Sequence, residues 1–255
     1  MIRRKNPLFE NLFLRFGDTL GDLINSNGLT HYFAEKARYT YIQCRDPKYF
    51  PSIECLYKDF PNITVITQEQ FNAEAGIIPN SYKIDGIPCG PLPLYFNNGE
   101  AGAIDVAWER MVYENFDVPF SVRYKMFKLP NHVEGAQELK DKLTEGEQDY
   151  IVVNRYFGGE LNQSDYLVDM WNTEGYKVIE ITPDITNNVF QYIELFKHAK
   201  QIHVVPTSIH QLVDSMLHLI AGDVFIHLVR RNFFSPVNCQ FNEYRWKQIM
   251  YHHQW

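Results

Sequence analysis

The chain has 255 residues, of which 45% are hydrophobic, 22% charged and 15% aromatic, and its formal net charge is −7. This composition is typical of an ordinary globular protein and excludes disordered and collagen-like chains. The negative charge argues against a dedicated nucleic-acid-binding protein, which normally carries a basic surface. The length favours two α/β domains, each large enough to bury its own core.

The cysteines and the N-terminus indicate where such a chain resides. Cys44, Cys55, Cys89 and Cys239 show no C-x-x-C spacing, so the sequence predicts neither a zinc site nor a disulfide framework. The basic residues 1–7 are not followed by the apolar segment of a signal peptide. No run approaches the roughly 20 apolar residues that span a bilayer. We therefore expect a cytoplasmic protein without a transmembrane segment, whose only contact with a membrane would be peripheral.

The chain begins with a strand, a tight loop and a helix. Two glycines and two carboxylates, Gly17, Asp18, Gly21 and Asp22, follow the apolar run that ends at Arg15. Because α/β proteins place their chemistry at the carboxyl ends of the strands, this position predicts a carboxylate that acts as a base. In the alternative interpretation, Asp18 or Asp22 caps the first helix.

The rest of the first half alternates β-rich runs with helical patterns. Strands at 39–44 and 63–66, with a helix between them at about 50–59, predict a parallel sheet with right-handed crossovers. Residues 77–102 are rich in proline and glycine, which indicates a loop-rich insertion. Helical spacing returns at 105–116.

The second half repeats this rhythm, so the sequence predicts two Rossmann-like domains, residues 1–130 and 131–255. No strand precedes a G-x-G-x-x-G sequence and no P-loop is present, so a dinucleotide cofactor is not expected. The basic and aromatic tail, Tyr244-Arg245-Trp246-Lys247, is predicted to form a final helix that packs across both domains. Alternatively, together with Arg230 and Arg231, it would face an anionic lipid-linked acceptor. The predicted strands are 150–154, 176–181, 202–205 and 224–228, and the predicted helices are 133–143, 164–173, 189–198 and one that begins at Thr207.

The helix that begins at Thr207 follows a buried strand, and its first turn carries hydroxyl groups. Backbone N–H groups and the positive end of the helix dipole make such a start suitable for an anion, with Thr207 and Ser208 able to donate to phosphate. Either hydroxyl could instead cap the helix. His210, one turn further, would contact phosphate or ribose, or serve as a structural hydrogen-bonding residue. Arg155, just after the first strand of this half, would reach the ligand or remain a surface arginine.

Two segments resemble the signature regions of heptosyltransferase-like glycosyltransferases of the GT-B fold. They are residues 21–28, Gly-Asp-Leu-Ile-Asn-Ser-Asn-Gly, and residues 202–214. Those enzymes carry a Gly-Asp pair that opens the first helix and a late strand-to-helix turn with Ser and a following His. This chain departs from the pattern at Gly28, where a proline is usual, and at Pro206-Thr207, where an acidic residue often precedes the serine. The resemblance implies an α/β fold of two Rossmann-like lobes, with mostly parallel sheets and a ligand cleft between them.

The resemblance also implies an inverting glycosyltransferase that moves a sugar from a nucleotide-diphosphate sugar to a glycan or glycolipid acceptor. In that family the loop aspartate is the catalytic base, and the matching residue is Asp22, with Asp18 as the second candidate. The N-terminal lobe would hold the acceptor and the base, and the C-terminal lobe the donor. The residues predicted to bind the nucleotide sugar are Arg155, Thr207, Ser208, His210 and Thr182, of which Thr182 would lie near the nucleobase of the donor.

Glycosyltransferases of the other major fold class hold a divalent cation through an Asp-x-Asp sequence, and this chain has none. We therefore expect transfer without a metal or other cofactor, with helix dipoles and Arg155 stabilising the departing diphosphate. Two alternatives stay open because a fold does not fix a function. One is a nucleotide-sugar epimerase or hydrolase on the same scaffold, and the other is a non-catalytic protein that binds a nucleotide sugar or a glycan.

Overall fold

The computed structural model describes residues 7–74, 78, 80–85, 108–156, 173–228 and 245–250. The chain divides into two compact units, Met1–Asn131 and His132–Trp255. The division lies one residue from the boundary that the sequence predicts. Within the described ranges, no helix combines the length and the hydropathy that crossing a bilayer requires.

The N-terminal unit contains a four-stranded parallel sheet with the order β3-β2-β1-β4. Its strands are β1 (Phe9–Arg15), β2 (Ala37–Gln43), β3 (Ile63–Ile66) and β4 (Ser81–Asp85). Its helices are α1 (Leu20–Asn25), α2 (Asn27–Ala34), α3 (Phe50–Tyr57), α4 (Gln68–Glu74), α5 (Trp108–Glu114) and α6 (Val122–Lys125), and a 3₁₀ turn (Pro47–Tyr49) precedes α3.

Strand β1 carries the core of this unit because its side chains are buried on both faces, as is typical of a central parallel strand. On one face, Leu12 and Leu14 pack in a cluster with Leu29 of α2 and Tyr113 of α5. On the other face, the ring of Phe13 packs against rings from β2 and α4. The loop that follows β1 is therefore attached to a well-packed strand.

Gly28 lets α2 and α6 approach each other at the level of the backbone. A Cβ atom on Gly28 would lie 2.6 Å from the carbonyl oxygen of Val122 and 2.7 Å from that of Arg123. Since both neighbours are backbone atoms, they cannot move aside cheaply. We expect Gly28→Ala to lower the free energy of unfolding by about 1–3 kcal/mol through overpacking. Urea unfolding measures this loss, and an unchanged midpoint would show that the two helices separate without cost.

The C-terminal unit contains a five-stranded parallel sheet with the order β6-β5-β7-β8-β9. Its strands are β5 (Tyr150–Asn154), β6 (Lys177–Glu180), β7 (Gln201–Val204), β8 (Asp223–Leu228) and β9 (Trp246–Met250). Its helices are α7 (Ala136–Thr144), α8 (Ile193–His198) and α9 (Ser208–Ser215), with 3₁₀ turns at Val189–Tyr192 and Leu217–Leu219.

The prediction of a final helix is wrong for the part of the tail that the structure describes. Residues 246–250 form β9, which pairs in parallel with β8. The indole N–H of Trp246 donates to Asp214 Oδ1 at 2.9 Å, in a buried contact with α9. The strand forms because β8 offers unpaired backbone groups and α9 offers a buried acceptor, neither of which the local sequence reveals.

Two further differences concern the N-terminal unit. The loop-rich insertion predicted at 77–102 contains β4, which pairs with β1, while most of its other residues lie outside the described part of the chain. Helix α4 was not predicted at all. In the C-terminal unit, the helix predicted at 164–173 lies outside the described residues except at its last position.

Candidate functional site

The strand orders locate one candidate ligand site in each unit. In the N-terminal sheet the chain runs outward from β1 to β2 and β3, whereas β4 lies on the other side of β1. In the C-terminal sheet β6 and β7 flank β5 on opposite sides. Open α/β sheets bind ligands outside the carboxyl ends of the strands at such reversals. These places are the loop after β1 in the first unit, and the loops after β5 and β7 in the second.

In the N-terminal unit, Asp22 folds back onto the loop that follows β1. Its Oδ2 atom accepts hydrogen bonds from the backbone N–H groups of Asp18, at 3.2 Å, and Thr19, at 3.0 Å. In return, Thr19 Oγ1 accepts from the backbone N–H of Asp22, which completes a capping box at the start of α1. The alternative interpretation, that this carboxylate caps the first helix, is therefore correct for one of its oxygens. Oδ1 has no hydrogen-bond partner among the residues that the structure describes.

The surroundings of Asp22 favour a base. Burial raises the pKa of the half-buried Asp22 carboxyl above its ordinary value, and the negative charge of Asp18 adds to the increase. The hydrogen bonds from Thr19 and Asp18 oppose it. A carboxylate with a raised pKa binds a proton more strongly than one in water, which is what a general base needs.

Asp18 has a different environment. Its Oδ2 accepts from Arg45 Nη1 at 2.6 Å, and its Oδ1 accepts from Arg15 Nη2 at 3.4 Å. Both oxygens therefore contact guanidinium groups from the ends of neighbouring strands. This arrangement orders the loop after β1, and of its two carboxylates Asp22 is the one with an oxygen that accepts no hydrogen bond from the described residues.

In the C-terminal unit, Asn154 joins the ends of three strands. Its Oδ1 accepts from the hydroxyl of Thr207 at 3.2 Å, and its amide group donates to the carbonyl of Ile181 at 3.4 Å. Thr207 is the N-cap residue of α9, yet its side chain makes no capping hydrogen bond. The hydroxyl of Thr207 thus donates to Asn154 and does not cap the backbone N–H groups in the first turn of α9.

Arg155 follows Asn154 and forms a two-pronged ion pair with Glu180 at the end of β6. Its Nε and Nη2 groups donate to the two carboxylate oxygens. This pairing raises the pKa of Arg155 and lowers that of Glu180. The guanidinium is therefore held in one orientation at the edge of the sheet, with Nη1 outside the pair.

Of the other predicted binding residues, Thr182 and Ser208 lie at the same edge of the C-terminal sheet, whereas the His210 side chain is buried next to Trp246, the first residue of β9. The hydroxyl of Thr182 donates to Asp184 in the turn after β6. Ser208 is the first residue of α9 and is partly exposed. The ring of His210 is buried against the indole of Trp246, with 5.2 Å between the ring centroids. The fold thus brings the ends of β5, β6 and β7 together, with Asn154 and Glu180 as residues that the sequence reasoning missed. A polar residue at the end of the apolar run 150–153 was the available signal for Asn154.

Replacing Asn154 tests this connection. We expect Asn154→Ala to cost about 1–3 kcal/mol in the free energy of unfolding, because it leaves the buried carbonyl of Ile181 and the hydroxyl of Thr207 without this partner. Thr207→Val is the matched control, since it removes only the hydroxyl that donates to Asn154 and keeps the amide donor to Ile181, so its loss should be smaller. Urea unfolding measures both. Equal losses in the two variants would show that the contact with Ile181 contributes nothing.

Among the described residues, no group of three or more His, Cys, Asp or Glu side chains is arranged to hold a metal ion.

No protein-family model matches the chain, and no curated protein has significant similarity to its sequence. The structure is similar to the iron-containing dodecameric glycosyltransferase TibC from enterotoxigenic E. coli, with a TM-score of 0.52 and 14% identity over 98% of this chain and 64% of that one. It is also similar to the structure of TibC, described as a heptosyltransferase, in complex with ADP-D-β-D-heptose, with a TM-score of 0.51 and 15% identity over 91% of this chain and 62% of that one. E. coli ADP-heptose LPS heptosyltransferase II gives a TM-score of 0.48 with 10% identity, over 94% of this chain and 90% of that one.

The chain thus spans less than two thirds of the length of the two TibC chains. What the similarity does establish is the fold. The predicted fold class, α/β with two Rossmann-like units and parallel sheets as in GT-B glycosyltransferases, is confirmed.

Proposed function

We propose that this protein is an inverting glycosyltransferase that moves a sugar from a nucleotide-diphosphate sugar to a glycan or related acceptor, without a metal or other cofactor. Asp22 is the general base. The observation that carries the proposal is the Asp22 carboxylate at the reversal point of the N-terminal sheet, with Oδ2 fixed by two backbone N–H groups and with no partner for Oδ1 in the described part of the chain. The shared fold with a glycosyltransferase supports it.

The reaction is a direct displacement at the anomeric carbon. Oδ1 of Asp22 accepts the proton of the acceptor hydroxyl while the oxygen of that hydroxyl bonds to the anomeric carbon. The bond from that carbon to the diphosphate breaks at the same time, so its electrons leave with the nucleoside diphosphate. A single base and a single displacement invert the configuration.

The C-terminal unit supplies what a departing diphosphate needs. The uncapped first turn of α9 presents backbone N–H groups, and a helix start favours negative charge. Arg155, paired with Glu180, adds guanidinium N–H groups at the end of β5. The adjacent strand β6 ends next to Thr182, where we place the nucleoside. These donors are preorganised by Asn154 and Glu180, so they need little rearrangement when charge develops.

The identity of the donor is the first thing to establish. A structural neighbour binds ADP-D-β-D-heptose, so we propose this nucleotide sugar as the first donor to test, beside UDP, GDP and CDP sugars. We expect one nucleoside diphosphate to raise the melting temperature, because binding to the folded state alone stabilises it by RT ln(1 + [L]/Kd). The stabilisation should persist in EDTA.

The outcomes of this panel separate the alternatives. Stabilisation that appears only with Mg²⁺ or Mn²⁺ would contradict metal-free transfer, and no stabilisation by any nucleotide would contradict the proposal as a whole. Conversion of the donor into its epimer without an acceptor would indicate an epimerase. Binding without any release of nucleoside diphosphate, in the presence of sugar and glycolipid acceptors, would indicate a non-catalytic binding protein.

A further inference from the structure

Gly17, the second residue after β1, lies directly under the side chain of Asp22. A Cβ atom built on Gly17 would lie 2.1 Å from Cβ of Asp22, 2.7 Å from Cγ and 2.8 Å from Oδ2. All three contacts are far shorter than carbon and oxygen atoms tolerate. A side chain of any size at position 17 therefore excludes the position that Asp22 occupies.

The backbone at Gly17 does not itself require glycine. The described glycines in the left-handed region are Gly135, Gly146 and Gly175, and Gly17 is not among them. Since φ of residue 17 lies outside the left-handed region, the requirement for glycine is a requirement for space. The three atoms nearest to such a Cβ all belong to the side chain of Asp22.

The position of Asp22 over Gly17 decides which of its oxygens is available. Oδ2 is held by the backbone N–H groups of Asp18 and Thr19, which belong to the same loop as Gly17. The charged neighbours in this loop are Asp18 and its partners Arg15 and Arg45, which order it further. With Oδ2 fixed in this way, Oδ1 has a defined place and direction.

We propose that Gly17 is a positioning residue for sugar transfer. Because it has no side chain, Asp22 folds back onto the loop after β1, anchors Oδ2 there and presents Oδ1 to the acceptor hydroxyl. The inference rests on the proposed function in one respect, since it takes Asp22 to be the base. The contact itself is independent of that assignment.

A kinetic double-mutant cycle tests whether Gly17 acts through Asp22. With ADP-D-β-D-heptose as donor, we expect Gly17→Ala to lower kcat about 100-fold, since a base displaced by an ångström or more is no longer in line with its proton. The Kd for ADP should not change. In the Asp22→Asn background, Gly17→Ala should cause no further loss of kcat. An additive loss, or a Gly17→Ala protein with wild-type kcat, would overturn the inference.

A titration followed by NMR tests the contact without any substrate. In the wild-type protein the amide signal of Thr19 should shift with pH as the Asp22 carboxyl ionises, because its N–H donates to that carboxylate. The shift should vanish in Asp22→Asn, which assigns it, and in Gly17→Ala. If the Thr19 amide of Gly17→Ala titrates as in the wild type, Asp22 has kept its place and the inference is wrong.

A stability rescue covers the case in which Gly17→Ala folds poorly. Asp22→Gly removes the side chain that position 17 must accommodate, so adding Gly17→Ala to Asp22→Gly should leave the melting temperature unchanged. A further fall in the double variant would show that Gly17 makes room for something else, and would overturn the inference. Gly28→Ala is the matched control, because it also overpacks a glycine in this unit but contacts the backbone of α6. It should lower the melting temperature and leave kcat unchanged.

The failure of the proposed function would look different. If Asp22→Asn transfers sugar at the wild-type rate, Asp22 is not the base, and the NMR titration still reports whether Gly17 holds its carboxylate. If Asp22→Asn is inactive but Gly17→Ala is fully active, the proposed function stands and the role of Gly17 is refuted.

Discussion

Asp22→Asn is expected to lower the rate of sugar transfer by 10²- to 10⁴-fold, the range that a positioned general base contributes. Asparagine has the shape of aspartate, and its carbonyl oxygen can still accept from the N–H groups of Asp18 and Thr19. The capping box and the fold should therefore survive, whereas a neutral amide cannot take the proton of the acceptor. The rate of nucleoside diphosphate release measures the loss, and an unchanged Kd for the nucleotide shows that the donor still binds.

The pH dependence of kcat/KM gives a second readout of the same residue. The base must be ionised in order to act, so the rate should fall as the pH falls through the pKa of Asp22. Because burial raises that pKa, the acidic limb should lie at a higher pH than it would for a carboxyl in water. In the Asp22→Asn variant, the pH profile of the residual kcat/KM should no longer show this acidic limb. A limb that persists unchanged would identify another group as the base.

Asp18→Asn is the matched control for this experiment. The substitution weakens the contacts with Arg15 and Arg45, and we expect only a modest loss of rate from a less ordered loop. If Asp18→Asn shows the large loss and Asp22→Asn does not, the roles of the two carboxylates are reversed from our assignment.

A second large effect is expected on stability in acid, because three buried histidines must stay neutral in the folded protein. Burial lowers the pKa of His31 from 6.5 to about 4, and the charge of Lys128 adds to the effect. Burial also lowers the pKa of His203 to about 4 and that of His227 to about 3. His203 and His227 lie on the neighbouring strands β7 and β8, where Nδ1 of one is 2.9 Å from Nε2 of the other.

The sign of the effect follows from proton uptake. Below pH 6.5 the unfolded chain protonates these histidines, while the folded protein does so only near the lowered pKa values. Since the unfolded state then binds more protons, the free energy of unfolding falls as the pH falls from 6.5 towards 4. For His31, which is 7% exposed, the loss is about 3 kcal/mol over this window.

His31→Phe isolates one of these contributions. A phenylalanine ring can keep the contacts that His31 makes with the rings of Tyr57 and Phe60, but it cannot be protonated. Urea unfolding at pH 7 and at pH 4.5 should therefore show a smaller difference in the variant than in the wild type. His132→Gln, at an exposed position, is the control and should leave the difference unchanged. An equal difference in His31→Phe and the wild type would show that His31 is hydrated in the folded protein.

The sequence by itself determined the alternation of strands and helices, and with it the α/β class and two parallel sheets. Runs such as residues 63–66 and 150–154 are apolar and β-branched, and they coincide with β3 and β5. Such runs are local signals, because a buried parallel strand needs apolar side chains on both faces. The sequence also predicted that Asp22 follows β1 at the start of a helix, because the end of a strand and the start of a helix each have a local sequence pattern.

Only the tertiary structure decided how the polar side chains at the strand ends are used. The sequence left open whether Asp22 caps a helix or acts as a base, and the fold shows one oxygen in the cap and the other without a hydrogen bond to any residue that the structure describes. Thr207 meets Asn154, 53 positions earlier, instead of capping α9. The tail at 246–250 became a strand because β8 and α9 offered it partners. Contacts between distant positions depend on the register and order of strands, and no local pattern in the chain encodes them.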